Sequence, residues 1–226
     1  HEGNLYNAAC LVADGQILGL AAKQNLAGDG LHYEPRWFKP WQRDQQASTS
    51  INGNDYPLGD LVFDLGAVRV AFEICEDAWV QDRPGVRLAA RGAQLILNPS
   101  ASHFAFGKQQ QRRDFVLDAS RDLGVSYIYT NLLGNEAGRS IYDGGAMIAS
   151  QGELVAAGPR LTFHDLQLTT AVVDIEPDNV EPAAADGAGQ VTAPFTFPAC
   201  QPQPARAELA AWEAGPHLKE EEFARA

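Results

Sequence analysis

The sequence predicts an α/β fold, and three features carry that prediction. An apolar β-type run, Val68 to Ile74, is followed by a helical stretch, Pro84 to Arg91, and then by a second apolar run, Gln94 to Leu97. A strand, a helix and a strand in that order form a crossover that joins parallel strands and covers a buried sheet. The amphipathic stretch Lys108 to Leu123, ahead of the β-type run Ser126 to Leu132, repeats the helix-to-strand order. Finally, two pairs of apolar runs are split by short polar turns, which is the pattern of β-hairpins.

The first of these pairs opens the chain. Leu5 to Cys10 and Ile17 to Ala22 flank Ala13-Asp14-Gly15-Gln16, and Asp-Gly between apolar runs favours a two-residue hairpin turn. From Arg36 to Tyr56 the chain is polar and aromatic without a regular period, which predicts a long surface loop of the functional kind. Leu61 to Leu65 and Val68 to Ile74 are the next strands, and Gly92 stops the helix that follows them.

In Lys108 to Leu123, Phe115, Val116, Ala119 and Leu123 share one helical face, while Arg112, Arg113, Asp118 and Arg121 fall mostly elsewhere; Gly124 ends the helix. Ala146 to Ala149 and Leu154 to Ala157 form the second hairpin, and Leu168 to Ile175 is the last expected strand. Beyond Glu176, prolines interleave with alanine, glycine and acidic residues, which suits an extended connector. Lys219 to Ala226 reads as a helix without a C-terminal stop.

Composition narrows the function classes. The 226 residues are 45% hydrophobic, enough for a sizeable core, and carry a formal net charge of −12. That charge has the wrong sign for nucleic acid or anionic lipid, so neither is an expected partner. No apolar run reaches membrane-spanning length, and His1 to Leu5 does not resemble a secretory signal, so a cytoplasmic location is expected. Cys10, Cys75 and Cys200 are odd in number and widely spaced, which argues against a disulfide framework. The five histidines are scattered without ligand spacing, so no metal is expected.

Cys75 ends a predicted parallel strand, at the sheet edge where α/β enzymes place reactive groups. Its plainer reading is a small buried hydrophobe. Glu73, Glu76 and Asp77 flank it and disfavour a thiolate, so a useful thiol here needs a cation or a proton acceptor beside it. Lys23, where the opening hairpin turns polar, can be that cation; alone it would pass for a solvated charge at a sheet edge.

Together these stretches carry a family resemblance. Lys23-Gln24-Asn25-Leu26, Tyr33-Glu34-Pro35-Arg36-Trp37-Phe38, Glu73-Ile74-Cys75-Glu76-Asp77-Ala78-Trp79 and Asn98-Pro99-Ser100-Ala101-Ser102, in this order and spacing, resemble the glutaminase domain of glutamine-dependent NAD synthetases, a branch of the nitrilase superfamily. The resemblance runs over residues 1–176, and His217 to Phe223 looks like the segment that leads into the synthetase domain of the same enzymes. It implies a nitrilase-type α-β-β-α sandwich, incomplete at the N-terminus, over residues 1–176, and a Pro/Ala-rich linker over residues 177–226.

By the same resemblance Cys75 is the nucleophile that attacks the glutamine side-chain amide, and Lys23 stabilises the oxyanion. A preorganised donor at a developing oxyanion is worth about 3 to 4 kcal/mol, which suits an ammonium and the Glu76 N–H. Glu34 matches a second glutamate near the cysteine that orients Lys23 or assists proton transfer; its plain alternative is a loop ion pair with Arg36. Glu76 and Ser102 match positions that hold the α-amino and α-carboxylate ends of glutamine, and Tyr33 joins this substrate-binding set. The plain alternative for Ser102 is a turn cap.

Two departures stand out. Asp29 occupies a position where many relatives have tyrosine, and the family's general-base glutamate, carried upstream of the opening hairpin, has no match before Lys23, since Glu2 sits in the wrong context. The implied partners are glutamine, a synthetase domain of the same parent chain that uses ATP and magnesium, and further copies in a homo-oligomer; the glutaminase domain itself needs no cofactor. A free-standing amidase for another small amide and an inactive nitrilase-like scaffold are the competing readings.

Overall fold

The structure, a computed structural model, describes residues 1–28, 30–66, 68–136, 138–175 and 189–198 of the chain. Two compact units form, one from His1–Pro99 with Ile175–Phe197 and the other built on Ser100–Asp174.

In the first unit, β1 (Ala8–Ala13) and β2 (Gln16–Ala22) form the expected hairpin. Its turn places Asp14 at φ 49° and Gly15 at φ 74°, the left-handed pair that lets a two-residue turn match the twist of its strands. A second hairpin follows, of β3 (Gln46–Ile51) and β4 (Asn54–Gly59), with β4 parallel to β2. This corrects the expected loop over Arg36 to Tyr56. The turn is Asn52-Gly53, both at positive φ, and β3 alternates half-buried Ala47, Thr49 and Ile51 with exposed neighbours. The run QASTSI is so polar that its period of two is easily missed.

β5 (Val62–Asp64), β6 (Arg69–Phe72) and β7 (Leu95–Ser100) build the other sheet of this unit, with α1 (Pro84–Ala90) in the crossover between the parallel β6 and β7. The predicted strand–helix–strand unit is therefore present, although β6 ends at Phe72, before the expected Ile74. Ala21 from one sheet packs with Leu61 and Phe63 from the other, joined by Leu11, Leu18 and Phe72. The layering within the unit is sheet on sheet, with α1 lying against β6.

The second unit packs α2 (Lys108–Leu123) on β8 (Ser126–Asn131), β11 (Ala146–Ser150) and β12 (Glu153–Ala157). α2 has the predicted bounds, and Gly124 at φ 64° closes it. Arg112, expected away from the apolar face, is instead fully buried, because its guanidinium meets Asp143 at 2.7 and 2.8 Å. β11 pairs antiparallel with both β8 and β12, and an additional hairpin, β9 (Leu133–Glu136) with β10 (Ser140–Asp143), lies between β8 and β11 in chain order.

Leu168 to Ile175 forms no strand. Leu168 is 81% exposed, so the apolar residues of that run do not supply a buried sheet face. The last described strand is β13 (Gln190–Thr192), inside the stretch read as a connector. It lies parallel to β5 in the first unit, where the Gly189 carbonyl accepts from the Val62 N–H at 2.8 Å and from Arg91 at 2.9 Å. The expected helix Lys219 to Ala226 lies outside the described residues, as do Asp29 and Cys200. Among the described residues no helix is long and apolar enough to cross a membrane.

Candidate active site

Lys23 stands one residue past β2, where its N–H donates to the Asn7 carbonyl at 2.8 Å and its own carbonyl accepts from Trp41 at 3.0 Å. The Trp41 ring packs with Ala22 and Leu58 beneath this point. The lysine is only 1% exposed, and its ammonium is held by the Glu34 carboxylate. A buried ammonium requires such a partner, and the plain reading of Lys23 as a solvated charge at a sheet edge does not hold.

Glu34 opens a one-turn 3-10 helix, Glu34–Arg36, whose second residue is Pro35. Its Oε1 accepts from Asn7 at 2.9 Å and its Oε2 from the Ala27 N–H at 2.7 Å, besides Lys23. Burial pushes this carboxyl up, but the hydrogen bonds from Lys23, Ala27 and Asn7 and the lysine charge outweigh it, so it ionises below the ordinary carboxylate range. Tyr33 precedes this turn and is 46% exposed.

Cys75 opens a second 3-10 turn, Cys75–Ala78, after the chain leaves β6. It is half-buried, carries no disulfide, and has φ 49°. A left-handed backbone at a residue with a β-carbon costs about 1 to 2 kcal/mol, and strain of this kind persists only where surrounding contacts impose it. Half-buried Glu76 is the next residue of the same turn.

Asp77, which sequence reasoning treated only as an acidic flank, lies two residues past Cys75 on the same turn. Asp77 is 2% exposed. Its Oδ2 accepts from the Ile74 N–H at 3.1 Å, just ahead of Cys75. Its Oδ1 accepts from the backbone N–H of Gln24 at 3.2 Å, from that of Asn25 at 2.7 Å, and from the Asn25 side chain at 3.0 Å. The structure thus brings Lys23 and Glu34 into direct contact and ties the Lys23 segment to the turn of Cys75 and Glu76. A residue pattern that could have pointed to Asp77 was visible only as Cys-Glu-Asp, without a distance to Gln24.

Burial pushes the Asp77 carboxyl up from an ordinary 3.8 to about 6, and its hydrogen bonds with Asn25 and Ile74 and the nearby Lys23 charge only partly oppose this. Between those two values the folded chain holds a proton that the unfolded chain has released. Stability from this group is therefore greatest at low pH and falls as pH rises through the window, by about 3 kcal/mol in total. We expect wild type to gain on Asp77→Asn by roughly this amount as the pH of urea unfolding is lowered from about 7 to about 4. A difference that does not change with pH would refute the assignment.

Glu73 is completely buried. Its carboxylate takes a two-pronged contact from Arg83 and the Gly85 N–H at 2.8 Å, which satisfies the start of α1. A β-carbon at Gly85 would lie 2.8 Å from Glu73 Oε1, so glycine is what lets the carboxylate approach. Arg87 of α1 donates to the Gln24 side chain at 2.6 Å, a further link to the Lys23 segment.

Ser102 belongs to the second unit and is buried. Its N–H donates to Asn131 Oδ1 at 2.8 Å, its carbonyl accepts from Arg112 at 2.8 Å, and its hydroxyl oxygen lies 3.2 Å from the same guanidinium. Asp143, which also takes Arg160 at 2.7 Å, completes this buried network. Among the described residues, no group of three histidine, cysteine or acidic side chains is placed to hold a metal ion.

A half-buried thiol on a left-handed turn and a buried lysine–carboxylate pair thus stand on two segments that one buried carboxylate joins. The chain belongs to the carbon-nitrogen hydrolase family, whose model matches residues 1–185, and its fold is of the nitrilase type. Within that family it is similar to glutamine-dependent NAD(+) synthetases. That of Saccharomyces cerevisiae is 32% identical over 185 residues, and that of Homo sapiens 30%. Each alignment covers 78% of this chain and 26% of the relative, so the chain spans about a quarter of their length. The crystal structure of a glutamine-dependent NAD(+) synthetase from Cytophaga hutchinsonii is 44% identical, with a TM-score of 0.66 over 73% of this chain and 27% of that one. A carbon-nitrogen hydrolase from Helicobacter pylori, 20% identical with a TM-score of 0.54 over 70% of this chain and 54% of that one, shares the fold.

Proposed function

We propose that this chain supplies the nucleophile and the oxyanion cation for hydrolysis of the side-chain amide of glutamine, and the observation that carries the proposal is the buried Lys23 ammonium fixed by Glu34 beside the segment that Asp77 ties to Cys75. Cys75 Sγ adds to the amide carbon, the oxyanion forms against Lys23, and the C–N bond breaks as nitrogen takes a proton and leaves as ammonia. Water then hydrolyses the thioester to glutamate and returns the thiol. Glu34 orients Lys23; with three donors on its carboxylate it is a poor proton acceptor, so the base remains, as the family resemblance implies, a glutamate of another segment. Glu76 and Tyr33 hold the amino-acid end of the substrate.

The choice of glutamine rests on the named relatives. In that reading the ammonia passes to an ATP- and magnesium-dependent synthetase domain that amidates nicotinic acid adenine dinucleotide, in a cytoplasmic homo-oligomer. Hydroxylamine intercepts thioesters, so turnover of glutamine in its presence should yield the γ-glutamyl hydroxamate. A hydroxamate formed only from some other small amide would replace glutamine as substrate, and none from any amide would leave a scaffold.

A further inference from the structure

We infer that Asp77 is a positioning residue for this reaction: one buried carboxylate clasps the strand end that carries Lys23 to the turn that carries Cys75, and so sets the separation of cation and thiol. The inference rests on the proposed cysteine chemistry, but its geometry stands independently of it. Lys23 and Cys75 are far apart in sequence and sit on different sheets of the first unit, Lys23 after β2 and Cys75 after β6. Among the described residues no strand pairing joins the two sheets: β2 pairs with β1 and β4, and β6 with β5 and β7. Apolar packing between sheets tolerates sliding; hydrogen bonds do not.

Asp77 supplies hydrogen bonds where the packing cannot. Its two oxygens divide the work: Oδ1 takes the two N–H groups that follow Lys23 and the Asn25 amide, while Oδ2 takes the Ile74 N–H that precedes Cys75. Only an acceptor with two oxygens and a single methylene spans both sides. Asparagine loses one arm, because its NH2 group cannot accept, and glutamate keeps the charge but moves both oxygens outward by one bond. Asp77 touches no substrate in this scheme and acts through Lys23 and Cys75.

Asp77→Asn and Asp77→Glu, made in the complete enzyme that contains this chain, separate position from charge. Both should lower kcat for ammonia release by about ten- to a hundredfold, the scale of an ångström's misplacement, with KM for glutamine held within about threefold. Rates are expressed per folded molecule, counted by iodoacetamide labelling of Cys75 and thermal unfolding. If Asp77→Glu kept full kcat, charge and not position would be the role, and the inference falls. It falls as well if the loss disappears on normalisation.

Amide hydrogen exchange tests the clasp without substrate. In Asp77→Ala the N–H groups of Gln24, Asn25 and Ile74 should exchange about tenfold faster or more than in wild type, relative to the amides of β1, β2 and β7. Unchanged protection of these three overturns the inference even if glutamine proves not to be the substrate. Wild-type enzyme inert toward glutamine but with the exchange pattern intact would overturn the functional reading and leave the clasp standing.

Discussion

Cys75→Ala abolishes ammonia release from glutamine, with an expected loss on the order of 10⁴-fold or more, since removing a nucleophile leaves only binding and polarisation of the amide. On the proposed reading, synthesis driven by added ammonia should persist in an enzyme that joins this chain to a synthetase domain. Alanine retains the β-carbon, so it meets the same left-handed backbone at φ 49° as cysteine, and the unfolding midpoint should scarcely move. Activity loss and fold integrity are thereby read separately. Cys10, which is exposed on β1, is the natural control, and Cys10→Ala should leave turnover intact. Retained glutamine turnover in Cys75→Ala would remove Cys75 from the mechanism.

Lys23→Gln has the next largest effect. The oxyanion exists only after attack, so loss of its donor lowers kcat by about 10²- to 10³-fold while KM for glutamine changes little. The substitution also strands the Glu34 carboxylate, which keeps Asn7 and Ala27 as donors and is 21% exposed. The stability loss should therefore fall near 2 to 3 kcal/mol, at or below the range of about 3 to 5 for wholly buried pairs. Adding Glu34→Gln to Lys23→Gln removes the stranded charge and should recover most of the stability and none of the kcat. A rise in KM with kcat unchanged would make Lys23 a binding residue.

What the sequence showed and what it hid follow from the range of the interactions involved. The Asp14-Gly15 hairpin, the crossover through α1 and the bounds of α2 were legible because turn chemistry and helical periodicity are local. Asn52-Gly53 was equally local, but the polar run of β3 concealed it. Leu168 to Ile175 erred the other way, since apolar residues form a strand only if a neighbouring strand supplies partners. In the candidate site, Lys23, Glu34 and Cys75 are proposed from motif and resemblance. Their supports could not be read that way. Asp77 meets Gln24 and Asn25 across more than fifty positions of sequence, and Arg112 meets Asp143 across thirty-one, and neither spacing has a period to read.

The left-handed turn at Cys75 also bears on how this sequence can drift. Glycine adopts φ 49° without the steric penalty of a β-carbon, so at position 75 it would fold at least as well as cysteine. Mutation unconstrained by chemistry would then find relief in glycine or asparagine, and each such exchange would be silent in the fold and fatal to a thiol reaction. Cysteine at this position sets foldability and reactivity against each other, a trade familiar from catalytic sites generally. On the proposed reading, the left-handed turn is where stability is given up for the reaction of that one atom.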